Sequence, residues 1–122
     1  MSEQKTTSGL DFEALRHAAE HNDAEALANL YAEGAEVLIV NRETPPSSPY
    51  VLRGREQIAE YLKDACGRDI ESRIEAEVIG EERVAFNEAC QYSDGTRVLS
   101  ATTLEVQDGK IARQVSVEAW DE

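Results

Sequence analysis

The sequence predicts an α+β domain in which three N-terminal helices pack against a curved, mixed and mostly antiparallel sheet. Two observations indicate this fold class. Apolar residues recur mainly at helical spacing up to Cys66, and from Asp69 onward they alternate with polar residues, which is the period of a strand. Two Asp-Gly pairs, at 94–95 and 108–109, are signals for tight hairpin turns. The 122 residues are expected to form one domain.

Two helices are predicted near the start of the chain. Residues 1–8 are expected to form a flexible terminus, with Ser8 as the N-cap of the first helix. Asp23 is placed to cap the second helix, which Gly34 ends. The apolar stripes of the two helices are Phe12, Leu15 and Ala19, then Leu27, Leu30 and Tyr31.

A strand, a loop and a third helix follow. Val37–Val40 is a run typical of a strand. All three prolines lie within Glu43–Tyr50, which predicts a loop because proline donates no backbone hydrogen bond. Arg55–Cys66 has the clearest helical pattern, and Gly67 ends it. The apolar stripe of this helix is Ile58, Tyr61, Leu62, Ala65 and Cys66.

Four strands in a meander are predicted to complete the domain. The first has an alternating apolar face made of Ile70, Ser72, Ile74, Ala76 and Val78. Gly80-Glu81-Glu82 turns the chain into the second strand. If both Asp-Gly pairs are two-residue loops, Phe86 lies opposite Thr103, which lies opposite Gln114.

This register mixes polar and apolar side chains on the sheet face expected beneath the helices. Such a mixture is typical of a ligand pocket, because an unpaired buried carboxylate is costly in a purely structural core. We predict Glu88 as a general acid/base and Glu118 as a second candidate. The alternative is that either glutamate lies at the pocket mouth or the sheet margin and is solvated. The predicted substrate-binding residues are Tyr31, Phe86, Cys90, Leu99, Thr103, Gln114, Ser116 and Trp120. The same face is completed by Val84, Tyr92 and Ala101.

The reverse face of the sheet is also apolar in this register. Three helices can cover only one face, so a second copy of the chain is expected to cover the other and form a homodimer. The alternative is a loosely patterned surface. The predicted reverse face consists of Ala85, Ala89, Val98, Ser100, Thr102, Leu104, Val106, Ile111, Val115 and Val117.

Composition and motifs argue against several partners and sites. A net charge of −13 would repel nucleic acid and anionic membranes. There is no apolar run long enough for a membrane span or a secretory signal, so a cytoplasmic protein is expected. Phosphate-binding and dinucleotide motifs are absent, which predicts no cofactor. His17-Ala18-Ala19-Glu20-His21 matches a short zinc-protease pattern, but a working site needs a third ligand from a separate helix, so no metal is predicted.

Three segments resemble motifs of nuclear transport factor 2-like proteins. Leu30–Val37 is similar to an LYA-(acidic)-x-A-x-V segment, and Gly54–Ile58 resembles the GREAI opening of the third helix. Asp108–Ile111, followed by Trp120, resembles a DGKI…W hairpin. The resemblance extends from about Leu10 to Trp120. It implies a cone-shaped barrel, or cystatin-like roll, with a pocket between helices and sheet and dimerisation through the outer sheet face.

The resemblance leaves the activity open. Relatives similar to ketosteroid isomerase would place a carboxylate base near Ile39, a tyrosine near Leu15 and an aspartate near Thr103, and none of these residues has that chemistry. We therefore expect a SnoaL-like protein that binds a small apolar or mixed-polarity molecule. It would act as an isomerase, cyclase or hydratase through Glu88. The alternative is a non-catalytic ligand-binding or assembly domain.

Overall fold

The computed structural model describes residues 9–121, so Ser8 and the predicted flexible terminus lie outside the described residues. The order of elements is α1 (Phe12–Glu20), α2 (Ala24–Ala28), β1 (Tyr31–Val40), β2 (Tyr50–Arg53), α3 (Arg55–Cys66), β3 (Glu71–Ile79), β4 (Arg83–Gln91), β5 (Arg97–Gln107) and β6 (Lys110–Trp120). One six-stranded sheet has the order β2-β1-β6-β5-β4-β3. Only β1 and β6 are parallel among its described pairs. The predicted α+β class with a mixed, mostly antiparallel sheet is confirmed.

Aspartates cap the first two helices. The Asp11 carboxylate accepts a hydrogen bond from the Ala14 amide at 3.0 Å, and Asp23 accepts one from Ala26 at 3.1 Å. Each bond satisfies an amide that has no partner within its helix. The prediction for Asp23 is confirmed, whereas the cap of α1 is Asp11.

Removal of the Asp11 cap gives a testable change in stability. We expect Asp11→Ala to lower the free energy of unfolding by about 1 kcal/mol, because the Ala14 amide loses its acceptor. Urea denaturation of the whole protein measures the change. Asp11→Ser restores an acceptor at the same position and should recover most of the loss. Equal stability of the alanine and serine variants would contradict this role.

The predicted end of the second helix is wrong. Helix α2 stops at Ala28, and Tyr31 begins β1, so Gly34 lies inside a strand. The Ile111 amide of β6 donates to the Leu30 carbonyl at 2.9 Å, and the register between β1 and β6 shifts between Tyr31 and Glu36. Pairing with β6 therefore overrides the helical spacing of Leu30 and Tyr31. Strand β2, four residues long, was not predicted.

Helix α3 agrees with its prediction at both ends, including Gly67 as the C-cap. Strand β3 agrees only as far as Ile74. Ala76 has a φ of 59°, and the pairing with β4 shifts between Glu75 and Val78. This irregularity turns the following side chains outward, so the predicted buried positions of Ala76 and Val78 are wrong. Val78 is 68% exposed.

Two shifts of one residue change the predicted register of β5. The β4–β5 loop has three residues, because the Tyr92 amide donates to the Thr96 carbonyl, and Glu88 pairs with Ser100. The 108–109 turn has two residues as predicted, but an irregularity between Glu105 and Val106 shifts the pairing beyond it. The first shift inverts the faces of β5 relative to β4, and the second inverts them relative to β6. Strand β5 is therefore inverted relative to the prediction, whereas β4 and the part of β6 from Arg113 onward keep their predicted faces.

This inversion corrects several predicted positions. Leu99, Ala101 and Thr103 lie on the outer face, and all three are exposed. Six residues predicted for the outer face are instead buried: Val98, Ser100, Thr102, Leu104, Val106 and Ile111. The inner face and the helices enclose the core, in which Ile58, Leu104, Ile111 and Val84 are the largest fully buried side chains.

Candidate functional site

A cavity of about 170 Å³ lies between the three helices and the inner face of the sheet. Its apolar lining includes Leu15, Leu27, Ile39, Ile58, Leu62 and Phe86. Its polar lining consists of Asn22, Tyr31, Tyr61, Cys66, Ser72, Glu88, Cys90, Tyr92, Ser100, Thr102, Gln114, Ser116 and Glu118. A cavity with apolar walls and convergent polar groups is typical of a small-molecule site.

Both predicted catalytic glutamates line this cavity. Glu88 of β4 pairs with Ser100 of β5, which pairs with Glu118 of β6. The three residues therefore form one row across the sheet, here called the carboxylate row. Neighbouring strands lie about 4.8 Å apart, so the two glutamate backbones are about 10 Å apart with a serine between them.

Glu88 has a perturbed acidity. Burial raises the pKa of its carboxyl group above the ordinary value, and the charges of Glu118 and Glu20 raise it further. Hydrogen bonds from Ser72 and Cys90 act in the opposite direction. Burial outweighs these bonds, so the proton is held at higher pH than on an exposed glutamate.

Glu118 is partly buried beside the Asn41 side chain. Its Oε1 accepts hydrogen bonds from Asn41 Nδ2 at 3.0 Å and from Trp120 Nε1 at 3.2 Å. The Arg42 guanidinium lies 4.6 Å from the centre of the Trp120 ring. Trp120 is thus a neighbour of Glu118 and does not itself line the cavity, in contrast to its predicted role.

A chain of polar side chains crosses the wall of the cavity. Tyr31 donates to Gln114 Oε1 at 2.5 Å, and Gln114 Nε2 donates to Ser116 Oγ at 3.0 Å. The hydroxyls of Ser116 and Thr102 lie 2.9 Å apart and share a hydrogen bond. This chain determines the orientation of the Gln114 amide.

The phenols and thiols of the lining are neutral at physiological pH. Burial raises the pKa of Tyr61 to about 12, and it also raises the pKa values of Tyr31 and Tyr92. Burial and the Glu88 charge raise the pKa of Cys90 to about 11, and burial raises that of Cys66. The tyrosines are therefore hydrogen-bond donors, and neither cysteine is activated as a thiolate.

The structure brings together most of the predicted site residues. The cavity lining includes Tyr31, Phe86, Glu88, Cys90, Gln114, Ser116 and Glu118. Leu99 and Thr103 are on the opposite face because β5 is inverted, so their predicted pocket positions are wrong. Sequence reasoning missed Ser100 and Thr102 for the same reason. Tyr61 could have been found, since it lies on the predicted apolar stripe of α3.

Residues 9–121 contain no group of three or more His, Cys, Asp or Glu side chains arranged to hold a metal ion. The rings of His17 and His21 stack with centres 4.1 Å apart. None of the helices within these residues is both long and apolar enough to cross a membrane.

Comparisons with known proteins support the resemblance in the sequence. A family model described as a SnoaL-like domain matches residues 12–114. An NTF2-like protein of unknown function from Mesorhizobium loti has a TM-score of 0.82 at 16% identity, covering 97% of each chain. These matches confirm the predicted nuclear transport factor 2-like fold. No curated protein matches the chain in sequence.

Two similar structures are described as enzymes or enzyme-like. An LEH-like epoxide hydrolase from M. tuberculosis has a TM-score of 0.70 at 18% identity, covering 95% of this chain and 86% of its own. SalBIII is described as an epoxide hydrolase/cyclase-like enzyme in pyran ring formation in polyether salinomycin. Its TM-score is 0.68 at 19% identity, covering 88% of this chain and 86% of its own. Likeness at these identities concerns the fold.

Proposed function

Because the chain belongs to the SnoaL-like family, we propose that its cavity binds one compact, largely apolar molecule and transfers a proton to or from it through Glu88. The observation that carries this proposal is the position of Glu88 in a cavity with apolar walls. Burial raises the pKa of its carboxyl group, which brings it closer to neutral pH. A carboxylate whose pKa is raised is a stronger base than an exposed glutamate, which favours removal of a proton from the ligand.

The proposed chemistry is that of an isomerase, cyclase or hydratase. In each case a carboxylate removes a proton from carbon or oxygen, and a neutral donor stabilises the developing negative charge. Tyr61 and Tyr92 line the cavity and keep their protons at neutral pH, so they are suited to be such donors. The descriptions of similar folds as epoxide hydrolase and cyclase-like support this range of reactions.

Deuterium exchange into a small ketone tests this proposal without knowledge of the natural substrate. We expect the wild-type protein to accelerate exchange of the α protons of cyclohexanone in D₂O, as followed by proton NMR. Glu88→Gln should reduce this acceleration by about tenfold, because an amide cannot accept the proton. The rate should increase with pH as Glu88 ionises, with a midpoint above the ordinary glutamate range.

The matched control is Glu71→Gln, which removes the same charge from an exposed site outside the cavity lining. It should leave the exchange rate unchanged. Equal rates for the wild type and Glu88→Gln would contradict proton transfer by Glu88. They would favour the alternative, a binding or assembly domain.

One observation favours a binding or assembly domain over an enzyme. Leu15 and Ile39 line the cavity near the positions where ketosteroid isomerase relatives would have a tyrosine and a base. Neither side chain can donate or accept a proton. Proton transfer in this chain must therefore use a different residue, and the carboxylates available in the cavity lining are Glu88 and Glu118.

The outer sheet face is proposed to pair with the same face of a second copy. One row across this face is charged, with ion pairs of Arg53 to Glu36 at 3.1 Å and of Arg113 to Glu36 at 3.4 Å. The adjacent rows are mainly apolar and include Leu38, Val40, Ala85, Ala101, Thr103, Val115 and Val117. Leu99 and Val117 are 50% and 51% exposed. A two-fold axis through these rows would bury them and leave the charged row at the margin.

A further inference from the structure

We propose that the cavity selects a small organic cation, a compact amine in its ammonium form, and holds the charged group over Ser100 between Glu88 and Glu118. This inference names the substrate class of the proposed function and rests on its ligand-binding part. It stands on the charge, shape and aromatic content of the cavity.

The charges of the lining have one sign. Among residues 9–121, the cavity is lined by Glu88 and Glu118 and by no lysine, arginine or histidine. Both glutamates belong to the carboxylate row, so their side chains project from the same face on either side of Ser100. Attraction between opposite charges strengthens where water is excluded, and so does repulsion between like charges. An anionic ligand is therefore disfavoured, and a cation is stabilised from two sides.

Arginines near the cavity do not supply the missing positive charge inside it. Arg68 forms an ion pair with Asp64 at 2.6 Å. Arg42 lies over the Trp120 ring, and Arg16 donates to Glu77 at 2.6 Å. None of the three is part of the cavity lining. The compensating charge for the carboxylate row is thus left to the ligand.

Aromatic rings provide a second source of attraction. Tyr31, Tyr61 and Tyr92 all line the cavity. The faces of tyrosine rings attract ammonium groups, most strongly when water is excluded. The net charge of −13 also raises the local concentration of cations around the whole protein.

The volume sets the size of the ligand. At about 170 Å³ the cavity is comparable to engineered apolar cavities that bind benzene. It therefore fits one ring with a short substituent. Benzylammonium, benzyl alcohol and benzoate are suitable probes, because they share the ring and differ in charge.

Isothermal titration calorimetry with these three probes tests the inference at pH 8 and low ionic strength. We expect benzylammonium to bind about tenfold more tightly than benzyl alcohol, and benzoate to bind most weakly. Glu88→Gln and Glu118→Gln should each weaken benzylammonium binding about fivefold and change benzyl alcohol binding less than twofold. Glu71→Gln, which removes an exposed charge outside the cavity lining, should leave all three affinities unchanged. Thermal denaturation without ligand verifies that each variant is folded.

The inference is overturned if benzyl alcohol binds as tightly as benzylammonium, if neither cavity variant reduces the preference, or if no probe binds. Failure of the cation preference can be distinguished from failure of the proposed catalysis. Glu88-dependent exchange without a preference for the cation would refute only the substrate class. A Glu88-dependent preference without exchange would refute only the catalysis.

Discussion

Leu99→Glu is expected to yield a folded monomer at concentrations at which the wild-type protein should form the proposed dimer. Leu99 is 50% exposed and lies among the apolar rows of the outer face. In a two-fold pairing of these rows, a glutamate at this position would lose water without gaining a cationic partner. We expect the dimer dissociation constant to increase by about 100-fold or more, which corresponds to about 2.7 kcal/mol. Sedimentation velocity across a concentration series measures it.

The control for this substitution is Ile79→Glu. Ile79 is a 41% exposed aliphatic residue on the edge strand β3, and it pairs with the buried Val84, so it lies on the face opposite the apolar rows of the outer face. It should leave the oligomeric state unchanged. A wild-type protein that is monomeric at 100 micromolar, taken as roughly the concentration that a weak dimer requires, would contradict the proposed pairing. So would a Leu99→Glu variant that remains dimeric.

Glu88→Gln is expected to stabilise the protein at neutral pH even though it impairs proton transfer. Burial raises the pKa of Glu88 in the folded protein, so the folded state binds this proton more tightly than the unfolded state does. Stability from this group is complete below the ordinary glutamate pKa and is lost as the pH rises through the folded-state value. Glutamine does not titrate and incurs no such loss. We expect a gain in the free energy of unfolding at pH 7 that falls to little or none at pH 4.

Urea denaturation of the wild type and Glu88→Gln between pH 4 and pH 8 measures this difference. Other titrating groups contribute equally to both proteins, so they cancel in the comparison. Glu71→Gln is the matched control, because Glu71 is exposed, and its effect should not grow with pH. A stability difference for Glu88→Gln that is the same at all pH values would contradict the assigned burial cost.

The expected effects of Glu88→Gln on stability and on proton transfer indicate that the buried Glu88 carboxylate lowers the free energy of unfolding at neutral pH. Replacing a partly buried acid with its neutral analogue should make the protein more stable and less able to move a proton. Such an opposition is common where a strained or desolvated group has a function.

Much of the fold could be predicted because local signals and tertiary packing agree there. Arg55–Cys66 has an apolar stripe with a glycine after it, and α3 has these bounds. Asp23 caps α2 through a contact three residues away, which is visible in sequence. By contrast, Leu30 and Tyr31 continue a helical pattern, yet they are drawn into the pairing with β6, a strand about eighty positions later.

The candidate site was predictable on two strands and not on the strand between them. The predicted faces of β4 and of β6 from Arg113 onward were correct because the two register errors, one at each end of β5, cancelled. A third loop residue before Thr96 inverts the faces of β5 relative to β4, and a bulge near Val106 inverts them relative to β6. Neither feature changes the composition of the strand or its alternation of apolar and polar residues. Ser100 and Thr102 consequently replace Leu99 and Thr103 on the inner face.

The sequence by itself determined the α+β class, the third helix, the two-residue turn at 108–109 and the presence of glutamates on β4 and β6. These features depend on periodicity and on turn chemistry, which act within a few residues. The tertiary structure alone decided which face of β5 meets the cavity, that Glu88 and Glu118 form one row around Ser100, and that Glu88 is desolvated. Those properties arise from strand register and from packing between distant segments, and no local pattern encodes a shift of one residue.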